Sequence, residues 1–253
     1  MSMFEIVFSP TGGTEKVSGL VTGTLDGNIV TVDLTDSGLD FHGVSMAKGD
    51  VAVISVPSYA GRVPAVAVER LGMVRGNGAR AVLVCVYGGR AFEDTLIELE
   101  DVAKRAGFGV VAAVSAIAEH SVARQFAAGR PDAQDVAQLS EFAQRIWQKL
   151  LDGAASEPSI PGNRPYKQAG GHSMVPHATE DCVSCGACAA LCPVRAIDKD
   201  DPRQVDGEAC ISCMRCVSVC SQNARKLDPN KLAAVTQMLS KACVERRECE
   251  IFI

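Results

Sequence analysis

Cys182-Val-Ser-Cys185-Gly-Ala-Cys188-Ala-Ala-Leu-Cys192-Pro193 and Cys210-Ile-Ser-Cys213-Met-Arg-Cys216-Val-Ser-Val-Cys220 together hold eight of the chain's eleven cysteines. Each stretch reads C-x2-C-x2-C-x3-C. Three thiols two residues apart lie on one tight loop, where they can converge on a single group. The fourth sits a turn further on, at the start of a short helix, and points away. The two copies are related by a constant offset of 28 residues, at which Ser184/Ser212 and Ala196/Ala224 also coincide. An internal repeat of this kind predicts a pseudo-twofold module. Disulfides would need an oxidising compartment, and zinc favours paired C-x2-C knuckles over evenly spaced runs. The copies differ at the loop exit, where Pro193 follows Cys192 but Ser221 follows Cys220.

The doubled run resembles that of bacterial ferredoxins carrying two [4Fe–4S] clusters, in which the fourth cysteine of each run ligates the other cluster. The resemblance implies that Cys182, Cys185, Cys188 and Cys220 hold one cluster, and Cys210, Cys213, Cys216 and Cys192 the other. The apolar positions between them (Val183, Ile197, Val205, Ile211 and Val217) are few. Metal–thiolate bonds must therefore replace part of a core, and loss of the clusters is expected to unfold residues 179–228.

Upstream, short apolar runs alternate with helical patterns. Residues 4–8, 28–34, 51–56, 79–87 and 108–116 read as buried strands. Residues 15–24, 64–73, 93–106 and 131–151 read as helices, the last with an apolar stripe of Val136, Leu139, Phe142, Ile146 and Leu150. This alternation predicts an α/β fold with a doubly wound, five-stranded parallel sheet in the order 2-1-3-4-5. Ligands of such sheets bind outside the carboxyl ends of the strands, at the switch point. There the first strand runs into Ser9-Pro10-Thr11-Gly12-Gly13-Thr14. A hydroxyl- and glycine-rich loop before a helix is an anion cradle. No lysine follows the glycines, so nucleoside triphosphates are not expected.

This loop resembles the phosphate loop of flavodoxins, whose [Ser/Thr]-x-Thr-Gly-x-Thr pattern is met by Ser9, Thr11, Gly12 and Thr14, with Gly13 beside them. Two further loops fall where flavodoxins grip the isoalloxazine ring. Pro57-Ser58-Tyr59-Ala60-Gly61-Arg62 follows the third strand and Tyr87-Gly88-Gly89-Arg90 the fourth. The resemblance implies a flavodoxin-like domain holding FMN, with Tyr59 and Tyr87 against the ring and the Gly88 and Gly89 backbone at its edge. Free guanidinium groups of Arg62 and Arg90 near the ring would make the flavin hydroquinone easier to reach than in flavodoxins; pairing with Glu93 or Asp94 is the alternative. The whole chain is similar to bacterial and archaeal proteins that fuse a flavodoxin-like region to a small α+β two-cluster ferredoxin.

The domain reading is 1–153 for the FMN-binding part, 154–178 for a Pro/Gly/Ser-rich linker, 179–228 for the ferredoxin and 229–253 for a docking helix and tail. Tyr166 and Lys167 are placed to pin the linker. The final helix spans about 230–245. Cys85 in the fourth strand, Cys243 and Cys249 read as packing residues. His42, His172 and His177 read as loop or surface residues, and His120 as a capping histidine in reach of the crevice.

Hydrophobic content of 47% with 22% charge belongs to a globular chain, and no apolar run is long enough for a membrane span. No basic n-region precedes the first strand, so the reducing cytoplasm is the expected location. The net charge of −5 falls wholly on residues 1–153. Each oxidised cube with its thiolates adds about −2, so the second half is acidic once loaded. Nucleic acid is not an expected partner, whereas basic redox partner proteins are. FMN with two clusters predicts an electron-transfer protein that converts between one- and two-electron steps, with flavin and cluster brought together within a chain or across a homodimer. The competing readings are a flavin-dependent reductase acting on a small substrate, with Arg62, Arg90 or His120 facing it, and a ferredoxin whose companion domain is flavin-free and serves for docking.

Overall fold

The computed structural model describes residues 2–23, 28–153, 156–171 and 174–253. The expectations for His172 and for the end of the first helix at Thr24 fall outside them. β1 (Met3–Val7) leads through α1 (Gly13–Thr22) to β2 (Ile29–Asp33) and β3 (Val51–Pro57). α2 (Ala65–Met73), β4 (Arg80–Tyr87), α3 (Thr95–Arg105), β5 (Gly109–Ile117) and α4 (Ala133–Leu151) follow in strict alternation. The parallel strands pair in the order β2-β1-β3-β4-β5, the doubly wound arrangement of flavodoxin-like folds.

The strand period of two assigns the core residues to opposite faces. Ile54, Leu83 and Cys85 join Leu71, Leu96 and Leu99 in the layer under α2 and α3. Val53, Val82 and Val84 join Val17, Leu139 and Ile146 in the layer under α1 and α4. Both faces are covered, so the central strands read as unbroken apolar runs rather than alternating ones. On α4, Val136 is 40% exposed, contrary to the apolar stripe expected of it. The fully buried Asp135 takes the inward position of the first turn, and the next residue along a helix is rotated about 100° away. Ala143 completes the buried face instead.

The segment after α4 lies along α3. Arg164 bridges Glu100 and Asp101, the Tyr166 hydroxyl donates to Asp101, and Lys167 Nζ reaches Glu93 Oε2 at 2.6 Å. Downstream come β6 (His177–Ala178), α5 (Ala187–Ala190), α6 (Arg215–Ser218) and β7 (Arg225–Lys226), with β6 and β7 paired antiparallel. The 28-residue repeat is visible in the backbone. Ser184/Ser212, Gly186/Met214 and Arg195/Asn223 all take positive φ, between 49° and 76°. The helices α5 and α6 coincide at the same offset.

α7 (Pro229–Ala242) opens on an Asp228 cap that accepts from the Asn230 and Lys231 amides, with proline at its first position. Beyond it lies an element the sequence did not reveal, β8 (Glu250–Phe252). It pairs antiparallel with β5 through Ala113/Phe252, Val114/Ile251 and Ser115/Glu250. The sheet is thus six-stranded, with one antiparallel edge, rather than five-stranded and wholly parallel. Three residues carry too little periodicity to announce a strand. What draws them in is the row of backbone donors and acceptors that β5 would otherwise leave unpaired.

Candidate functional site

The cysteine runs fold into two separate cavities of about 350 and 360 Å³. Cys182, Cys185, Cys188 and Cys220 line the first. Cys192, Cys210, Cys213 and Cys216 line the second. The crossed sets implied by the repeat are therefore brought together in space. Their environments are built alike: the Cys192 sulfur accepts the Ala196 N–H and the Cys220 sulfur the Ala224 N–H, both at 3.3 Å. At Cys220 such donors favour the thiolate, which is the ligand form. Burial acts the other way, pushing the Cys213 thiol up to about 11 and Cys216 to about 12. Iron must displace protons there on binding. At Cys220 burial also opposes ionisation, but the Ala224, Gln222 and Arg225 amides outweigh it and the thiol lies below its ordinary value.

Among the described residues no three His, Cys, Asp or Glu side chains cluster tightly enough for a single metal ion. A cube spreads its four thiolates around a cage of eight atoms, and four cysteines gathered about each of the two spaces suit that arrangement. The cavities differ in depth. Cys192 and Cys213 are buried, whereas Cys185 is exposed and Val183 is 64% exposed.

The second cavity is held against the sheet's carboxyl end. Ile211 packs on the core layer under α2 and α3. Arg70 Nη2 donates to the Pro193 carbonyl at 2.5 Å, and Arg195 Nη2 to the Ser37 carbonyl at 2.6 Å. Arg215 Nη1 donates to the Ser9 carbonyl of the loop after β1 at 3.4 Å. Tyr59 faces this module: burial first, and then the nearby Cys213 sulfur, raise its hydroxyl well above the usual phenol range.

A crevice of about 460 Å³ opens over the ends of β1, β3, β4 and β5. Of the residues predicted from the loops, Thr11, Gly13, Thr14, Pro57, Ser58, Tyr59, Tyr87 and Gly88 line it. The rest are placed otherwise. The Ser9 hydroxyl accepts the Glu15 amide at 2.9 Å inside the loop. Gly12, at φ 87°, caps α1 without any side-chain partner and faces a neighbouring cavity. Ala60 and Gly61 form the turn that pairs Tyr59 with Arg62, and Gly89 and Arg90 lie beyond the crevice rim. Gly12 brings no side chain to the first turn of α1, and that helix start with its threonines suits a phosphate.

The two arginines expected near a ring are spent on carboxylates. Arg62 forks onto Glu98 at 2.8 and 2.7 Å and stacks over Tyr166. Arg90 pairs with Glu93 at 2.8 Å. The basis for an easily reached hydroquinone is therefore absent. Tyr87 ends β4, is buried and tilts against Phe92 at the crevice wall. Cys85 is fully buried, and burial raises its thiol far out of reach of ionisation. Cys249 is also buried, packed beneath α4.

Sequence reasoning passed over Pro10, Val86, Ala118, Glu119 and Ser121, which complete the crevice wall. The signal was the position of residues 118–121 just past a predicted parallel strand. His120 lines the crevice too, with Nδ1 accepting the Val122 and Ala123 amides at 3.2 and 3.1 Å. Burial, and next the Arg90 charge, lower its pKa and keep the ring neutral. It caps a turn, as expected. A second crevice of about 960 Å³ runs between the domains, from Gly12, Gly13 and Lys16 to Met214, Val217 and Ser218.

Gly61 carries the turn after β3 at φ 83°, with the Glu93 side chain packed where a Cβ would stand. Gly61→Ala is expected to cost about 1–3 kcal/mol and to lower the melting temperature by roughly 2–10 °C. Calorimetry on the loaded protein checks this; an unchanged transition would show that Glu93 can yield freely.

The fold and the two cavities define a flavodoxin-like α/β domain joined to an iron–sulfur domain. Comparison with known proteins agrees for the second part: residues 156–237 match the family model described as a 4Fe-4S dicluster domain. The first part is similar to a flavodoxin of Streptococcus pneumonia TIGR4, at 20% identity over 58% of this chain and 99% of that one, TM-score 0.40. It is also similar to Flavodoxin 2 of Bacillus cereus, at 15% identity over 59% and 99%, TM-score 0.44. A Fusobacterium nucleatum flavodoxin solved with flavin mononucleotide aligns at 15% identity over 58% and 96%, TM-score 0.39. No curated protein matches the chain. No described helix is long and apolar enough to cross a membrane.

Proposed function

We propose that the protein transfers electrons between two [4Fe–4S] clusters in the C-terminal module and an FMN held in the crevice above the parallel sheet. The observation that carries this reading is the pair of four-cysteine cavities, with the inner one docked on the β1 and β3 loops that form the crevice. The cubes handle single electrons and a flavin handles one or two, so together they convert between the two kinds of step. This chain's own residues supply positioning: Thr11 and Thr14 for the phosphate, Tyr59 between the inner cavity and the crevice, and burial around Cys192 and Cys213 that excludes water. The outer cavity, with Cys185 exposed, is the natural contact for a soluble redox partner. The acidity of the loaded module favours a basic one.

Anaerobic purification, followed by assays of iron, acid-labile sulfide and acid-released flavin, tests this. The expected composition is eight irons and one FMN per chain. Eight irons without flavin would leave a ferredoxin with a flavin-free companion domain and remove the converter. A reductase reading has one observation in its favour, the crevice between the domains that shares Thr11, Gly13, Glu119 and Ser121 with the flavin crevice. Turnover of a small acceptor by the reduced, flavin-loaded protein without any partner protein would select it.

A further inference from the structure

The 28-residue offset maps the wall of one cysteine cavity onto the wall of the other, so the few mismatches between them are informative. One is a buried charge. Arg225 lines the first cavity where its repeat counterpart, Ile197, lines the second. Both side chains are almost wholly buried, at 2% and 6% exposure. A buried guanidinium is unfavourable unless something neutralises it. Arg225 has little that does so within the polypeptide. Nη2 donates to the Pro202 carbonyl and lies 3.4 Å from the Cys188 sulfur. Nε and Nη1 are buried with no hydrogen-bond partner. A cation whose donors remain unused beside four thiols has the placement of a counter-ion for an anionic group in that cavity.

We propose that Arg225 is the buried counter-ion of the cluster held by Cys182, Cys185, Cys188 and Cys220, and that it makes this outer cluster the higher-potential member of the pair. The inference rests on the two-cluster reading and is independent of the flavin. Taking up one electron changes such a cube with its thiolates from about −2 to about −3, with no proton or ligand exchanged. A fixed positive charge in a poorly solvated wall stabilises the more negative state and raises the potential. Ile197 gives the inner cube no such help. Arg215 also lines the inner cavity, where the outer has Ala187, and its Nε is buried without a partner; but Nη1 turns to the Ser9 carbonyl and the side chain is only partly buried, so its charge is shared and better screened than that of Arg225. The thiol that the Arg225 guanidinium meets is Cys188 of the outer set, at 3.4 Å, so the outer cube feels the charge first and the inner cube less. With this ordering a single electron rests on the outer cube, next to the exposed Cys185, rather than beside the crevice.

The test is a redox titration, followed by electron paramagnetic resonance, of the anaerobically loaded full-length chain and three variants. Arg225→Ile, which restores the repeat, is expected to retain eight irons. One cluster should shift to lower potential by at least tenfold in its one-electron equilibrium, about 59 mV, and the other by less. Arg225→Lys keeps the charge and is expected to keep most of the potential. Arg225→Gln keeps an amide donor for Pro202 without the charge and is expected to fall with the isoleucine variant; it also serves should Arg225→Ile fail to hold iron. Unchanged potentials in the loaded Ile or Gln variant, or a lysine variant that falls as far as glutamine, would overturn the proposal and leave Arg225 as a structural tie to Pro202. An unaltered chain that binds no iron would instead overturn the two-cluster reading, before any variant is compared.

Discussion

Anaerobic chelation of the iron is expected to unfold residues 179–228 while the α/β domain stays folded. The module's fully buried cluster consists of Cys192, Ala196 and Ile197, supported by half-buried residues that include Cys188, Cys210 and Cys216. Its strand pairing is slight, with β7 set against the two-residue β6 just ahead of the module and a bridge between Ile197 and Val205. So little apolar area cannot offset the conformational entropy of some fifty residues, at about 1–2 kcal/mol for each backbone. The metal–thiolate bonds must supply the difference. The parallel sheet draws on none of these bonds, and its cores lie on both faces of the strands. Limited proteolysis of the iron-free chain should cut within 179–228. The C-terminal piece should remain associated with the rest, because β8 is paired into the sheet beyond the cut. An iron-free chain that resists protease throughout that span would show that packing alone holds the module.

The second large effect is expected at Asp135, which is fully buried at the start of α4. Its carboxylate receives Arg130 Nε at 2.6 Å, the Asp132 amide at 2.9 Å and Arg246 at 3.3 Å. The Cys249 thiol lies 3.7 Å away. Arg130 in turn donates to the Arg247 carbonyl at 2.8 Å. One side chain thus joins the capping box of α4 to the tail that leads into β8. Asp135→Ala leaves Arg130 buried without its anion, a change that costs about 3–5 kcal/mol. With a urea dependence of about 2 kcal/mol/M, the unfolding midpoint should fall by roughly 1.5–2.5 M. Trp147, the one tryptophan of the chain and itself on α4, gives the fluorescence signal. A midpoint within a few tenths of a molar of the unaltered protein would mean that water or the tail replaces the lost anion.

Much of this molecule could be read from residues alone, and the parts that could not be read share a cause. The cysteine runs and their offset of 28 announced a doubled module, and the resemblance to two-cluster ferredoxins implied the crossed grouping of thiols that line its two cavities. Apolar runs such as 79–87 determined the parallel strands, since only a strand covered on both faces tolerates an unbroken apolar sequence. The loops after β1, β3 and β4 were found for the same local reason. What the sequence left undecided was where long, charged side chains go. Arg62 was as compatible with a ring as with a carboxylate, and only the fold brought Glu98, 36 residues away, within its reach; Glu93, three residues from Arg90, was a partner the sequence already offered. Likewise Glu250 and Ser115 are 135 residues apart, and nothing local in Glu250-Ile251-Phe252 signals that it will close the edge of β5. Local periodicity is encoded within one or two turns of chain. The choice among distant ionic and edge partners is made only once the topology has set which surfaces meet.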